Sequence, residues 1–354
     1  MSVLERLAVN ETATCYGRGR DAGPVRTLVV STEASRRLLT SPALVGGPYR
    51  DLLATAVSQA VAIAASADAR LATAMTDSPA DVLVILRGGL TFALTEVLGT
   101  PGRPPTVSFI GTDRGQGGAT TVCYERWEAA HGFLALGDIV ATGGTARVAL
   151  EAARGWYAGR DAPRHVLVVS VAAAPGLEAM RRSLAELQRD GAGTATIVAL
   201  EAAFGLPAEP FPGIPQDHYD FLRSGYRPTP EFELARLAEG GSLFEKCAVY
   251  DGGLRAFSPD VHLRGRADWW RQLSQNEDLS LYDLGRAVAG LDEFDRPYAA
   301  WLSSLHYHAD ATTLQRIYEL GRIAVELARG TSVRQYGTAA IAPSAENAQN
   351  TKGR

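Results

Sequence analysis

Apolar and polar positions fall into blocks along the first two thirds of this 354-residue chain. ADVLVILRGGL is a continuous apolar run of the kind buried on both faces of a parallel sheet, stopped by Arg87, Gly88 and Gly89. PTVSFIG, HGFLALGDI, RHVLVVSVA and TATIVALEA repeat that signature, and VCYERWE reads as a shorter strand. Between them, GPYRDLLATAVSQAVAIAASA, TFALTEVLG, TARVALEAARGWYA and APGLEAMRRSLAEL carry apolar residues at helical spacing. Strands alternating with helices in this way predict an α/β fold, a mostly parallel open sheet flanked by helices.

The two ends of the chain have a different texture. Residues 1–26 are mixed and Gly-rich with no clear period, and read as an N-terminal arm ahead of an α/β domain over residues 27–225. Beyond about residue 225, FELARLAEGGSLFEKC, ADWWRQLSQ, LSLYDLGRAVAGL and TLQRIYELGRIAVELARG read as helices separated by Gly, Pro and Asp, without strands. This predicts a helical extension over residues 226–330 and, from the polar and aperiodic SAENAQNTKGR, a disordered tail over 331–354.

Charge narrows the partners. A net charge of -4 and the absence of a basic stripe disfavour nucleic acid. No apolar leader and no run of 18 apolar residues occur, so neither a membrane span nor secretion is expected, and a cytoplasmic protein is. Cys15, Cys123 and Cys247 are too few and too scattered for a disulfide framework or a Cys-x-x-Cys metal site. Lysine occurs only at Lys246 and Lys352, so cationic chemistry in a site built from residues 1–245 falls to arginine.

The most informative junction is ALGDIVATGGTA. A strand carrying Asp138 near its carboxyl end runs into Ala141, Thr142, Gly143, Gly144 and Thr145 and then into a helix. Two readings stand. In one, the free N–H groups at the helix start, close approach over the two glycines and the threonine hydroxyls make an anion cradle. Asp138 then faces a sugar hydroxyl or a water of a bound metal. In the other, this is an ordinary strand–helix turn capped by a threonine. The run has neither the lysine of a P-loop nor the G-x-G-x-x-G spacing.

ALGDIVATGGTA resembles the 5-phosphoribosyl-1-pyrophosphate (PRPP) signature of the type I phosphoribosyltransferases. VILRGGLTFA, TDRGQGGATTVCYERW, SVAAAPGLEAM and FPGIPQDHYDF are similar, in the same order, to segments of the uracil phosphoribosyltransferase branch. The resemblance covers roughly residues 27–222 and implies a type I phosphoribosyltransferase-like fold with PRPP as co-substrate and Mg2+ as cofactor. It further implies that Arg87, Gly88 and Gly89 hold the pyrophosphate, that Arg114 closes over it from a mobile loop, and that residues 141–145 bind the 5-phosphate. Asp138 would touch ribose or reach the metal through water. Tyr124, Pro212, Gly213, Ile214 and Asp217 would meet a small heterocyclic acceptor, pyrimidine-like or from specialised metabolism. A homodimer or higher homo-oligomer is implied as well. The chain departs from the family at Gly137, where the first of two acids is missing, and at Gln216–Asp220, where the acceptor segment is distorted. The expected activity is phosphoribosyl transfer with release of pyrophosphate, and the alternatives are a PRPP- or nucleotide-sensing regulator and a ribose-phosphate hydrolase.

Other conspicuous residues have plainer readings. His306-Tyr307-His308 has the wrong spacing for ligands on one helix face. Trp269-Trp270 reads as packing, Cys123 as a partly buried small hydrophobe, and Arg316, Arg322 and Arg329 as a solvated face.

Overall fold

The computed structural model describes residues 3–18, 23–86, 88–115, 119–128, 132–206, 211–214, 222–240, 242–245 and 252–341. The strands are β1 (Leu4–Val9), β2 (Ala13–Arg18), β3 (Val25–Thr32), β4 (Ala80–Leu86), β5 (Thr106–Arg114), β6 (Thr120–Arg126), β7 (Phe133–Val140), β8 (His165–Ala173), β9 (Thr194–Gly205) and β10 (Leu222–Pro228). They form one sheet in the order β1-β2-β3-β9-β8-β7-β4-β5-β6, with β10 added to β9. The five pairings from β3 to β5 are parallel; both edges and β10 are antiparallel. Full burial of β8 along its length explains why its sequence is apolar without alternation.

Helices α1 (Glu33–Thr40), α2 (Gly46–Ala67), α3 (Ala69–Asp77) and α4 (Leu94–Leu98), with a 3-10 turn at Gly88–Phe92, cover one face. Helices α5 (Gly144–Tyr157) and α6 (Ala174–Arg189) cover the other. The C-terminal third contributes α7 (Pro230–Glu239), α8 (Gly252–Phe257), α9 (Pro259–Leu273), α10 (Leu281–Val288), a 3-10 turn at Leu291–Asp295, α11 (Tyr298–Ser304), α12 (Ala311–Gly330) and α13 (Val333–Ile341). This is the expected architecture, a mostly parallel sheet between helices with further helices at the C-terminal end. No single described helix is long and apolar enough to cross a membrane.

The N-terminal arm is a correction. Residues 4–18 form the β1–β2 hairpin, which extends the sheet beyond β3. Its period is hidden because β1 is an edge strand with only Leu4 buried, while Cys15 and Tyr16 of β2 are both buried. The Asn10 side chain closes the turn by accepting from the N–H groups of Thr12 and Ala13 (2.9 and 2.8 Å). The disordered tail is corrected as far as Ile341. Helix α13 packs on α9, with the Tyr336 ring 4.9 Å from Phe244 and 5.4 Å from Trp270; residues 342–354 lie outside the described residues.

The expected boundary near residue 225 falls inside β10, and one apolar core runs from the α5–α6 face into α9–α13. Trp269 and Trp270 are buried in it and meet edge to face, as their packing reading requires. On α12, Arg316 and Arg329 are exposed and Arg322 half-buried, in keeping with a solvated face, and Arg322 and Arg329 both reach Asp295.

Two buried charges tie the C-terminal third to the sheet. Arg255 of α8 is fully buried and donates to the carbonyls of Leu38, Ser41 and Leu44, with its guanidinium 4.5 Å from the centre of the Tyr49 ring. Glu201, fully buried in β9 at φ 64°, accepts from the Thr32 N–H (2.9 Å), from the Ser35 hydroxyl, and from the Thr229 hydroxyl that caps α7 (3.0 Å). Burial pushes its carboxyl from 4.5 to about 7, against the pull of those donors. A carboxyl raised in this way favours the folded state fully below pH 4.5, and that contribution is lost as pH rises to about 7. Global stability measured by urea titration is therefore expected to fall between pH 5 and pH 7.5, by up to roughly 3 kcal/mol from this group. The slope should shrink in Glu201→Gln, and an unchanged slope would remove Glu201 as its source.

Candidate functional site

The strand order reverses between two neighbours. From β4 the chain proceeds outward to β5, and from its other neighbour β7 it proceeds the opposite way to β8 and β9. Chain connections diverge at such a point and leave a crevice beyond the carboxyl ends of the strands, where ligands of open α/β sheets lie. A cleft of about 240 Å³ opens there, lined by Ile85, Leu86, Gly88, Thr112 and residues 138–146.

Asp138 forms its floor. Even positions of β7 face α5 and α6 and odd ones face α2, so Asp138 lies on the side of Leu136 and Val140, and it is 8% exposed. Burial raises its carboxyl from 3.8 to about 7, with the Ile139 N–H pulling the other way. Its own carbonyl is held by the Ser170 hydroxyl (2.8 Å). Gly88 stands opposite, where a Cβ would lie 2.5 Å from Asp138 Oδ1 and push the carboxylate from its place.

The missing acid at position 137 has a steric cause. Gly137 points to the other face, where a Cβ would lie 2.6 Å from Cγ of the fully buried Phe92. That space is filled by the 3-10 turn that follows β4, so the site is built for one carboxylate.

The cradle follows directly. Gly143 at φ 88° is the N-cap of α5, and no side chain caps the helix. The threonine-capped turn is thereby set aside. Among the described hydrogen bonds the first that closes onto the turn is from the Arg147 N–H to the Gly143 carbonyl (2.8 Å), so the N–H groups of residues 144–146 face the cleft without a protein acceptor. Thr142 is exposed and Thr145 half-buried beside them. The loop is pressed from behind by α6. A Cβ at Gly143 would come 2.5 Å from the Ala179 Cβ, and one at Gly176 would come 2.6 Å from the Ala141 carbonyl.

Of the residues expected from sequence, Gly88, Asp138, Ala141, Thr142, Gly143, Gly144 and Thr145 line one cleft. Gly89 is buried against the Gly137 carbonyl just behind. Arg87 and Asp217 lie outside the described residues. Arg114 is the last residue of β5, paired with Thr120, and its side chain is likewise outside what is described. The described members of the acceptor set do not line the cleft. Tyr124 is exposed on edge strand β6, Gly213 is packed against Asn276, and Ile214 is buried in the core beneath the C-terminal helices; neither Pro212 nor these three line the cleft. Cys123 is exposed on β6 rather than partly buried. Thr112 is a lining residue that the sequence reading missed, because β5 runs three residues past the PTVSFIG segment; the polar Thr-Asp-Arg continuing an apolar strand was the available signal. The extension also reaches the site, since a Cβ at Gly252 of α8 would stand 2.5 Å from Cδ1 of the lining residue Ile139.

No protein-built metal centre exists among the described residues, where no group of three or more His, Cys, Asp or Glu side chains converges. Asp138 alone, with its raised pKa, does not fit a dedicated Mg2+ cage.

Comparisons with known proteins add little to this. No family model matches the chain, and no curated protein does. Among solved structures, it is similar to a hypoxanthine-guanine phosphoribosyl transferase of L. donovani at 20% identity, over 45% of this chain and 82% of that one, with a TM-score of 0.28. A likeness that slight says nothing of this chain's chemistry, and it lends the expected uracil branch no support.

Gly137→Asp is expected to cost roughly 3 kcal/mol or more, since the new side chain meets Phe92 in a dry interior. Gly143→Ala should also destabilise, by at least about 1 kcal/mol from the left-handed backbone alone. Thermal denaturation checks both, and a Gly137→Asp protein as stable as the wild type would rule out the steric explanation.

Proposed function

We propose that this protein transfers phosphoribose from PRPP to a small heterocyclic acceptor and releases pyrophosphate. The observation that carries the reading is the uncapped start of α5 beside a buried, singly acidic floor at the point where the strand order reverses. A phosphate ester meets several N–H donors and a positive helix end there, with two threonine hydroxyls alongside. At about 240 Å³, below the usual range of about 300–1,000 Å³ for ligand pockets, the cleft suits a sugar phosphate better than a dinucleotide.

In this reading the 5-phosphate rests on residues 142–145 and the ribose lies over Asp138. Departure of pyrophosphate leaves oxocarbenium character on the sugar and negative charge on the leaving group, so catalysis is chiefly positioning and charge stabilisation. Asp138 has a pKa of about 7 and can accept a hydrogen bond from a ribose hydroxyl when ionised. Arg87 and Arg114 are the cations assigned to the leaving group by the sequence resemblance. The described residues build no cage for Mg2+, which would arrive on the substrate's own oxygens.

Incubation with PRPP, Mg2+ and a panel of heterocycles, with pyrophosphate as readout, tests the proposal. Release that depends on an acceptor supports transfer; acceptor-independent release points to a hydrolase, and no release with tight PRPP binding points to a sensor. Thr142→Val should raise the PRPP KM about tenfold with little loss of stability. The wild-type kcat/KM for PRPP should climb with pH through about 7 as Asp138 ionises, and this dependence should vanish in Asp138→Asn. A pH profile identical in the two proteins would disprove the role given to Asp138.

A further inference from the structure

We propose that a second pocket, at the amino ends of the strands and remote from the cleft, binds a small phosphomonoester through Arg164, Arg70 and His165. The pocket has a volume of about 360 Å³ and is lined by Ala69, Arg70, Thr73, Ala74, Asp77 and Ser78 around α3, by Gly132, and by Arg164, His165 and Thr194 at the starts of β8 and β9. The volume exceeds a water's share of about 30 Å³ by an order of magnitude, so the space suits an anion with an organic body.

Three observations point to an anionic ligand. His165 is 2% exposed; its Nδ1 is 2.7 Å from the Thr194 hydroxyl, while its Nε2 is buried without a hydrogen-bond partner. An unmet ring nitrogen in the interior costs free energy; burial keeps the imidazole neutral, its pKa pushed down to about 4, so a small movement of the enclosed ring would let an Nε2–H donate to a ligand oxygen and remove that cost. Arg164 is exposed at the rim, donates to the Ser78 hydroxyl (2.7 Å), and has no carboxylate partner among the described residues. Ser78 is a neutral acceptor, so the Arg164 charge remains available to a phosphate. Arg70 brings a second guanidinium, half-buried and shared with Asp68 at 3.3 Å. The exposed Asp77 carboxylate opposes accumulation of negative charge, which selects a single phosphate over a diphosphate. Ala69, Ala74 and the alkyl stem of Arg70 offer an apolar wall for the organic part.

The two sites lie at opposite ends of the same strands. Strands β7 and β8 start beside this pocket, just after Gly132 and at His165, and toward their other ends carry Asp138 and Ser170, where the Ser170 hydroxyl donates to the Asp138 carbonyl. The pocket does not depend on the transferase reading, because none of its residues lines the cleft.

Phenyl phosphate is a suitable probe, followed through the imidazole 1H–15N signals of the intact chain. The His165 signals, assigned by their loss in His165→Gln, should shift saturably at millimolar concentration or below. Phenol alone should leave them unmoved. Arg164→Gln should weaken the binding at least tenfold with the remaining amide spectrum unchanged, whereas Thr142→Val should leave it intact. The proposal is overturned by an unmoved His165, by equal affinity in Arg164→Gln, or by shifts confined to the amides of residues 142–145.

Discussion

The site depends on backbone being pressed against backbone and side chain around one strand. Gly88 lies under Asp138, Gly137 under Phe92, Gly143 against Ala179 and Gly176 against the carbonyls of Val140 and Ala141, each so close that a Cβ would come within 3 Å of a neighbour. Real Cβ atoms do not tolerate such approaches, so β7 and the start of α6 hold this register only with glycine at 137, 143 and 176, while a side chain at 88 would displace the Asp138 carboxylate. The consequence reaches chemistry. Tight packing from both sides fixes the direction of the N–H groups at the start of α5, and preorganised donors lose less on binding an anion than donors that must first be ordered.

The same packing decides how many charges the site holds. A second acid on β7 would need the volume of Phe92, and Phe92 belongs to the turn that carries Gly88 and Gly89 to the cleft. The protein thus places one carboxyl where a pair would repel, and buries it deeply enough to be only half ionised near neutrality. In the proposed function, anion binding in that setting would rest on main-chain dipoles and on Arg87 and Arg114. No lysine precedes residue 246, and the neutral N–H groups at a helix end do not titrate.

Much of this was legible in the sequence, for identifiable reasons. Strands β4, β7, β8 and β9 are buried on both faces and therefore read as unbroken apolar runs, and the cradle announces itself where such a run meets Thr-Gly-Gly-Thr. The failures are equally physical. β1 is an edge strand, short and largely exposed, so no periodicity survives in it. The proposed acceptor residues were placed by resemblance along a segment whose described part, 211–214, is instead drawn under the C-terminal helices by Ile214. Position 137 could be seen to lack an acid but not why, because its cause, Phe92, is 45 residues away in the chain and adjacent only in space.

The C-terminal third is best understood through the charges it buries. The buried Arg255 guanidinium is met by three carbonyls around the α1–α2 junction and by the Tyr49 ring. A guanidinium without those partners would be costly in the interior, so α8 can dock only when that junction is already formed. Docking sets Gly252 on Ile139, next to Asp138, and so ties the shape of the cleft to helices that lie beyond the resemblance. Glu201 makes the corresponding link at the other side, holding β3, α1 and α7 through one carboxyl group. The extension is thus part of the wall of the site, and removing it would expose Arg255's carbonyl partners and uncover Ile139 on the face of β7 opposite Asp138.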